Sequence, residues 1–232
     1  MKHTCLLTIT ILPKGKVIWD SFTDLNPNLF CFESRREDKL TLENSLGVHM
    51  GNRLTKIFTR KGDDGSTDLG NNKRVPKYDQ QIEVFGSLDE LSASIGILIT
   101  SKDLPPRIVV FLTEVQQNIF NLSGEIAAPE FSNIDAANVL ALENLINDLN
   151  ATLPPLKDFV LPGSTRAAAH CHQARAICRK GERQLCKLAD EKEINPESLK
   201  YINRLSDALF VVARVLARQK NEEEIIWDHD RV

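Results

Sequence analysis

The chain has 232 residues, of which 42% are hydrophobic, and its 29 basic and 32 acidic side chains give a formal net charge of -3. That apolar fraction is enough for a sizeable core, and the near-neutral charge provides no overall field that would attract nucleic acid or an anionic membrane. The five cysteines include no CxxC pair, so neither a disulfide framework nor a zinc site is indicated. We therefore expect a cytoplasmic globular protein whose partners are neither nucleic acids nor membranes.

The first 49 residues differ from the rest because they show no sustained hydrophobic periodicity. They mix acidic with basic side chains, which does not favour a mitochondrial presequence, although such targeting stays open. Met50 can itself serve as a translation start. We therefore hypothesise that residues 1–49 are an irregular, dispensable extension of a domain at 50–232.

A polar, glycine-rich segment opens that domain at 50–78, with a possible short strand at Ile57 to Thr59. Between Thr59 and Thr67 it combines basic side chains, hydroxyls and glycines, whose backbone N–H groups can approach an anion. It is not a Walker A loop, because GxxxxGK[ST] is absent. The alternative is that Asp64-Gly65 is simply a tight hairpin turn.

Beyond this segment apolar residues recur at steps of three and four, which predicts five helices. Pro105 and Pro106 can open the second helix, Asp135 is a candidate N-cap of the third, and Ser164 or Thr165 of the fourth. We place the helices at about 80–101, 106–129, 135–150, 165–190 and 196–219. Five helices with almost no strand predict an all-α fold, an up-down five-helix bundle.

The fourth helix carries basic residues beside a seam of small ones. Arg175, Arg179 and Arg183 recur every four positions, so they share one face and can hold a polyphosphate; the alternative is a solvated face paired with carboxylates. His170 and His172 point about 200° apart and cannot share a metal ion. The seam consists of Ala167, Cys171, Ala174, Cys178, Gly181, Leu185 and Leu188. A polar stripe on the fifth helix, more often surface than site, consists of Asn203, Asp207, Phe210 and Arg214.

Six motifs follow one another along the chain. They are Lys56-Ile-Phe-Thr-Arg-Lys-Gly-Asp-Asp-Gly65, Arg74-Val-Pro-Lys77, Phe85-Gly-Ser-Leu-Asp-Glu-Leu91, Phe159-Val-Leu-Pro-Gly163, Ala174-Arg-Ala-Ile-Cys-Arg-Lys-Gly-Glu-Arg183 and Asn203-Arg-Leu-Ser-Asp207. In this order they resemble the trimeric five-helix ATP:cob(I)alamin adenosyltransferases, over about residues 50–220. The resemblance implies an enzyme that transfers the 5'-deoxyadenosyl group of ATP to the Co(I) of a corrinoid and releases triphosphate.

The resemblance also implies where the ligands bind. In that family the glycine-containing loop wraps the triphosphate of ATP, and its counterparts here are Thr59, Arg60, Lys61, Gly62, Thr67, Asp68 and Lys77. The helical part of the ATP site would consist of Arg179, Lys180, Gly181, Glu182, Arg183 and Asn203. Asp89 matches a residue that pairs with the counterpart of Arg175 across a subunit interface, which implies a homotrimer with sites between subunits. These two residues and Arg179 are the expected catalytic residues, and Phe159 resembles the aromatic residue that covers the lower face of the corrin and keeps cobalt four-coordinate.

Two positions depart from the family pattern. Lys180 stands where an arginine is usual, which keeps the charge but loses the bidentate fork. Gly181 replaces an alanine, and glycine inside a helix costs about 1 kcal/mol relative to alanine. We expect slightly weakened local order and retained activity.

The implied chemistry needs no Ser, Cys or His nucleophile, because Co(I) itself attacks the ribose C5'. The protein would position ATP and neutralise the departing triphosphate with basic side chains and Mg²⁺. The implied partners are an electron donor, such as a flavin-type reductase, and an adenosylcobalamin-dependent enzyme that receives the product. Two alternatives stay open: a sensor or carrier that binds ATP and corrinoid without turnover, and a structural bundle whose arginines pair at an oligomer interface.

Overall fold

The structure is a computed structural model that describes residues 9–11, 17–19, 58–69, 73–219 and 222–231. It divides the chain into two units, 1–57 and 58–232. In the first unit strands β1 (Ile9–Ile11) and β2 (Val17–Trp19) pair antiparallel, which the sequence did not predict. The rest of the extension predicted at 1–49, and the part of the predicted loop at 50–57, lie outside the described residues.

The second unit holds the five predicted helices. They are α1 (Gln80–Ile99), α2 (Pro106–Ala127), α3 (Ala136–Asn150), α4 (Arg166–Ala189) and α5 (Pro196–Ala217). Each predicted boundary lies within two residues of the observed one, a difference expected at helix ends. The predicted all-α bundle is confirmed.

Side chains at the N-termini explain where these helices begin. Asp135 is the N-cap of α3, as predicted, and it also forms a capping box with Asn138. Of the two candidates for α4, Thr165 is the cap, because its hydroxyl accepts a hydrogen bond from the N–H of Ala168 at 3.1 Å. Pro106 is the first residue of α2, where its missing N–H costs no intrahelical bond. Each side-chain cap stabilises its helix by about 1 kcal/mol.

The core lies around α4, which packs against α1 and α5, while α2 packs on α1 and α3 on α5. The predicted small-residue seam of α4 is buried along its whole length. It allows close helix approach: the thiols of Cys171 and Cys178 donate hydrogen bonds to the α5 carbonyls of Leu209 at 3.1 Å and Ile202 at 3.4 Å. Burial raises the pKa of both thiols, so they stay protonated and can donate these bonds.

A hairpin of β3 (Ser66–Asp68) and β4 (Arg74–Pro76) precedes α1. The strand predicted at residues 57–59 is wrong for residues 58 and 59, which belong to no strand, and residue 57 lies outside the described residues. Pairing instead begins at Ser66, because the chain first turns at residues 60–65. In the part of the chain that the structure describes, no helix has the length and apolar character required to cross a bilayer.

Candidate active site

The candidate site begins at the turn of residues 60–65. The N–H of Gly65 donates to the carbonyl of Gly62 at 3.2 Å, and Gly65 has φ +82°, in the region that favours glycine. Arg60 also has a positive φ, 61°, and its guanidinium lies 5.8 Å from the ring centroid of Phe58. The turn at Asp64-Gly65 does not connect two paired strands, because the hairpin lies further along the chain. The alternative of a simple hairpin turn at this position is therefore wrong.

Arg74 on β4 fixes this turn against the hairpin. Its guanidinium donates to the carbonyl of Lys61 at 2.6 Å, to Asp68 at 3.2 Å and to Asp64 at 3.3 Å, and it also contacts the hydroxyl of Ser66. Hydrogen bonds from the hydroxyl and N–H of Ser66, together with Arg74, hold the pKa of the Asp64 carboxyl below its usual range. These groups satisfy one another and tie the turn to the hairpin.

Sequence reasoning treated Asp68 as a nucleotide ligand and gave Arg74 no role. In the structure the carboxylate of Asp68 is an anchor for Arg74, and both side chains are partly exposed. Thr67 lies on β3 opposite Val75 and is half-buried. The motif Arg74-Val-Pro-Lys77 was visible in the sequence, but a contact between Arg74 and residues ten or more positions away leaves no local pattern.

Gly62 and Lys77 lie against each other. A Cβ on Gly62 would come within 3.2 Å of the Lys77 ammonium nitrogen, which is tighter than most real contacts. The N–H of Lys77 donates to the carbonyl of Gly65 at 2.9 Å, so backbone contacts hold this lysine beside the turn. Thr59 accepts a hydrogen bond from the N–H of Lys61 at 3.4 Å, and both residues are exposed. The turn therefore places the Lys77 ammonium group next to a glycine backbone, with Lys61 exposed on the same turn, an arrangement suited to an anion.

A side-chain link brings the end of this loop to α4. Gln80, the first residue of α1, donates from Nε2 to the carbonyl of Gln184 at 2.9 Å and to its side-chain oxygen at 2.7 Å. Gln184 directly follows Arg183. The two parts that the resemblance assigned to ATP, the loop and α4, therefore lie in the same region of the molecule.

Arg179 and Arg183 are the exposed cations of this region. The Arg183 guanidinium donates to the carbonyl of Arg179 at 2.9 Å, which directs it along its own helix. Within the described residues neither arginine forms an ion pair with a carboxylate. The alternative of a solvated face paired with carboxylates therefore does not describe these two residues.

The other α4 residues of the predicted site already have protein partners. Lys180 forms an ion pair with Glu90 of α1 at 2.7 Å, and both side chains are about half exposed. Glu182 is half-buried and accepts a hydrogen bond from Nδ2 of Asn203 on α5 at 2.7 Å. Gly181 is buried against α1. The structure thus brings Glu182 and Asn203 together, as expected, whereas the partner of Lys180 was not predicted.

Arg175 differs from the other arginines because part of its guanidinium is buried. Its Nε has no hydrogen-bond partner in the described residues, and the group lies 5.6 Å from the ring centroid of Phe210. Asp89 is exposed on α1 and forms no ion pair in the described part of the chain. His172, buried one turn before Arg175, has a pKa lowered by burial and by the Arg175 charge. The predicted pair of Asp89 and Arg175 is therefore not formed within one chain.

Phe159 lies on the connection between α3 and α4, and 75% of its surface is exposed. The N–H of Trp227 donates to the carbonyl of Phe159 at 2.7 Å, and the N–H of Leu161 donates to the carbonyl of Ile225 at 2.8 Å. The indole of Trp227 meets the Phe159 ring edge-on, with 6.1 Å between centroids. An aromatic ring held in this way offers an exposed apolar face. Residues 224–227, here called the C-terminal strap, lie beyond the predicted resemblance and were missed.

Arg214 was predicted to lie on a polar surface stripe of α5, and this was wrong. Its side chain is 4% exposed, and it forms an ion pair with Glu224 of the strap, which is 3% exposed, at 2.6 Å. Nη2 of Arg214 donates to the carbonyl of Pro154 at 2.7 Å. A guanidinium can be buried here because a carboxylate and a carbonyl supply the partners that water would otherwise provide.

The described residues contain no group of three His, Cys, Asp or Glu side chains that could hold a metal ion. Mg²⁺ is usually bound by one or two carboxylates together with substrate phosphates. Asp63 is exposed on the turn and can supply one such carboxylate. The loop therefore fits an ion that binds together with a nucleotide.

Known proteins resemble this chain over the hairpin and the helices. The model of the cobalamin adenosyltransferase family matches residues 57–216. A cobalamin adenosyltransferase from Cupriavidus metallidurans is 42% identical over 182 residues, which cover 78% of this chain and 99% of that protein. Corrinoid adenosyltransferase PduO from Citrobacter freundii is 36% identical over 176 residues, which cover 73% of this chain and 52% of that relative. A variant of a PduO-type ATP:corrinoid adenosyltransferase from Lactobacillus reuteri, solved with cobalamin and ATP, has a TM-score of 0.70 and 30% identity, covering 75% of this chain and 100% of that one.

Proposed function

The chain belongs to the cobalamin adenosyltransferase family, and on that premise we propose that it transfers the 5'-deoxyadenosyl group of ATP to the Co(I) of cob(I)alamin or a related corrinoid. Triphosphate is the second product, and adenosylcobalamin biosynthesis or salvage is the process served. One observation carries this proposal: Arg179 and Arg183 of α4, which are exposed and have no ion-pair partner among the described residues, lie near a glycine loop with its own cations. In a purely structural bundle, such a group of like charges without ion pairs would not stabilise the fold.

The loop and α4 have complementary tasks in the reaction. Electrons of Co(I) form the bond to C5' as the C5'–O bond breaks, and that electron pair leaves with the triphosphate. Lys61, Lys77, Arg179 and Arg183 would stabilise the growing charge, since cations fixed in advance need no reorganisation. Mg²⁺, when bound, would neutralise part of the same charge. Positioning of C5' follows from holding the phosphates in one place.

The nucleotide site that we propose comprises more residues than these four. Its members are Thr59, Arg60, Lys61, Gly62, Thr67, Asp68, Lys77, Arg179, Lys180, Gly181, Glu182, Arg183 and Asn203. Asp68 would act by bracing Arg74, with which it pairs at 3.2 Å. Lys180 would exchange its exposed partner Glu90 for a phosphate, a small cost because exposed ion pairs contribute only about 0–1 kcal/mol.

Phe159 would bind the corrinoid. Its exposed ring, backed by the strap, matches the flat apolar surface that would cover the lower face of a corrin. Keeping a ligand away from that face makes the reduction of Co(II) to Co(I) easier. A separate electron donor, such as a flavin-type reductase, would supply the electron, and an adenosylcobalamin-dependent enzyme would receive the product.

We also propose a homotrimer with its sites between subunits. The buried Nε of Arg175 lacks a partner in the described chain, and Asp89 exposes a carboxylate. Pairing across an interface would remove the cost of leaving a buried charge without a partner. Cytoplasmic localisation fits the three cysteines of the described residues, which are free.

Substitution of Arg179 tests the site. Loss of one charge-stabilising donor typically costs about 10²–10³ in kcat, so we expect Arg179→Ala to lose at least about 10²-fold. The rate is followed by absorbance with ATP, Mg²⁺ and chemically reduced cob(I)alamin under anaerobic conditions. Arg107→Ala is the matched control, because its partly exposed ion pair with Asp148 at 2.8 Å lies outside the site. A near-normal rate for Arg179→Ala would rule out its role.

A further inference from the structure

Polar contacts of Glu224 with two arginines attach the strap to the bundle. Nε and Nη2 of Arg214 donate to the two carboxylate oxygens of Glu224 at 2.6 Å and 3.1 Å, which is a bidentate pair. Arg218 of the same helical face adds a contact to Glu224 at 3.4 Å. With side chains only 4% and 3% exposed, the main pair is shielded from water and from salt. Its geometry therefore fixes where the strap begins.

The strap in turn fixes the backbone on both sides of Phe159. Val160 and Ile226 form an antiparallel bridge, flanked by the hydrogen bonds of Trp227 and Leu161 already described. The N–H of Ile225 also donates to the hydroxyl of Ser164 at 3.2 Å. Arg214 reaches the other end of the same connection through its bond to the carbonyl of Pro154. The connection at residues 154–164 is thus held at two points, by Arg214 at Pro154 and by the strap around Phe159, and both depend on the Arg214–Glu224 ion pair.

Close packing does not replace these contacts. A surface cleft of about 320 Å³, open to solvent, lies between the connection and the strap, and its lining includes Leu156, Lys157, Arg218 and Ile226. Side chains that border this cleft face water and not packed neighbours, so packing does less to hold the connection there. The position of the Phe159 backbone therefore depends on the hydrogen-bonded strap.

We propose that Arg214 and Glu224 are positioning residues for the corrinoid half of the site: their buried ion pair anchors the strap, and the strap holds Phe159 where it covers the corrin. This inference rests on the proposed role of Phe159. The residues that hold Phe159 differ from those that hold the ATP loop, because the loop is braced by Arg74 and not by the strap. Loss of the ion pair should therefore weaken the binding of the corrinoid and leave the binding of ATP unchanged.

The test compares Glu224→Gln with Glu223→Gln, which removes the charge of the exposed neighbouring residue. We expect Glu224→Gln to raise the KM for cob(I)alamin at least about tenfold, because binding must then order the segment that carries Phe159. The KM for ATP should stay within about twofold of the wild-type value, because the substitution changes none of the residues proposed to bind ATP. With ATP and cob(II)alamin bound, the visible and electron paramagnetic resonance spectra should lose their four-coordinate signal. Glu223→Gln should behave as wild type.

A second variant keeps the test decisive if Glu224→Gln leaves Arg214 unpaired and unfolds the chain. The double variant Arg214→Met/Glu224→Met leaves no buried charge at this position and is expected to fold, as judged by helical circular dichroism and a cooperative thermal transition. We expect the same rise in corrinoid KM and the same spectral change. Wild-type values in a folded variant would overturn the proposal, and so would equal loss of ATP and corrinoid binding in the double variant.

Phe159→Ala, measured in parallel, separates this inference from the proposed function. If Phe159→Ala loses the four-coordinate signal while Glu224→Gln keeps it, positioning by the strap is wrong and the role of Phe159 stands. If Phe159→Ala keeps the signal, the role of Phe159 fails and the inference fails with it. Absence of turnover in the wild-type protein would instead contradict the proposed function.

Discussion

Gly181 shows how a single residue of the site affects stability. It lies inside α4, where a Cβ would be 3.7 Å from Cβ of Ser87 and 3.9 Å from a methyl group of Leu88, both ordinary contacts. Because glycine in a helix interior costs about 1 kcal/mol relative to alanine, we expect Gly181→Ala to raise the free energy of unfolding by about that amount. Urea unfolding followed by circular dichroism measures the change.

Gly65→Ala is the matched comparison, because the backbone there has φ +82° although nothing lies within 4 Å of the added Cβ. The left-handed conformation costs an L-residue about 1–2 kcal/mol, so this variant should be less stable than wild type. A Gly181→Ala protein that is no more stable than wild type would contradict the account of α4.

The sequence identified the basic side chains of the site, but it did not identify their partners. Lys180 and Glu90 are 90 positions apart, and Arg214 appeared to be a surface residue because its partner Glu224 belongs to a segment without periodicity. Arg179 and Arg183 were placed on one face correctly, since helical geometry alone determines that relation. Contacts between distant segments depend on the packed fold, and no local pattern encodes them.

The helices were predictable as elements because burial repeats along them every three to four residues and their caps are local. The hairpin and the strap were not predictable in the same way. Each strand of the hairpin has three residues and the strap has four, too few to show a period, and all of them are held by hydrogen bonds to another segment. A short strand was expected nine residues too early in the chain, where apolar residues are present but no partner strand lies alongside among the described residues.

Arg74 is the residue through which the ATP loop holds its shape. Arg74→Ala removes its contacts to Lys61, Asp64 and Asp68, and the loop should then become ordered only when ATP binds. Because binding must then offset that ordering cost, we expect the KM for ATP to rise about tenfold while the KM for cob(I)alamin changes little. Steady-state kinetics with each substrate varied in turn provide the measurement.

Arg107→Ala again serves as the control, since it removes an arginine and an ion pair from α2 without touching the loop. An unchanged KM for ATP in Arg74→Ala would mean that the loop keeps its shape without this brace. A parallel rise in both KM values would mean that the substitution disturbs the whole fold.

At the scale of the whole molecule, the exposed Asp89 and the incompletely paired Arg175 support sites shared between subunits. Asp89→Ala and Arg175→Ala proteins should each be nearly inactive on their own. In mixed oligomers, however, some interfaces combine the intact Arg175 of an Asp89→Ala subunit with the intact Asp89 of an Arg175→Ala subunit. The site at such an interface is complete. We expect co-expression of the two variants to restore a measurable fraction of wild-type activity, quantified per oligomer after purification with two affinity tags.

Activity that stays at the level of the separate variants, in a preparation shown to contain mixed oligomers, would contradict shared sites. Two Arg179→Ala preparations carrying the two tags provide the control, because no combination of their subunits yields a complete site. The sequence suggested this assembly only through the family resemblance. The structure adds a physical reason, because the buried Nε of Arg175 has no hydrogen-bond partner in the part of the chain that is described.

The most direct test of the account is to identify the products of a single turnover. The full chain is incubated anaerobically with ATP, Mg²⁺ and chemically reduced cob(I)alamin, and the corrinoid and the phosphates are then separated and quantified. We predict light-sensitive adenosylcobalamin and triphosphate in equal amounts. Folded protein that binds ATP and corrinoid but forms neither product would contradict the enzyme and favour a sensor or carrier.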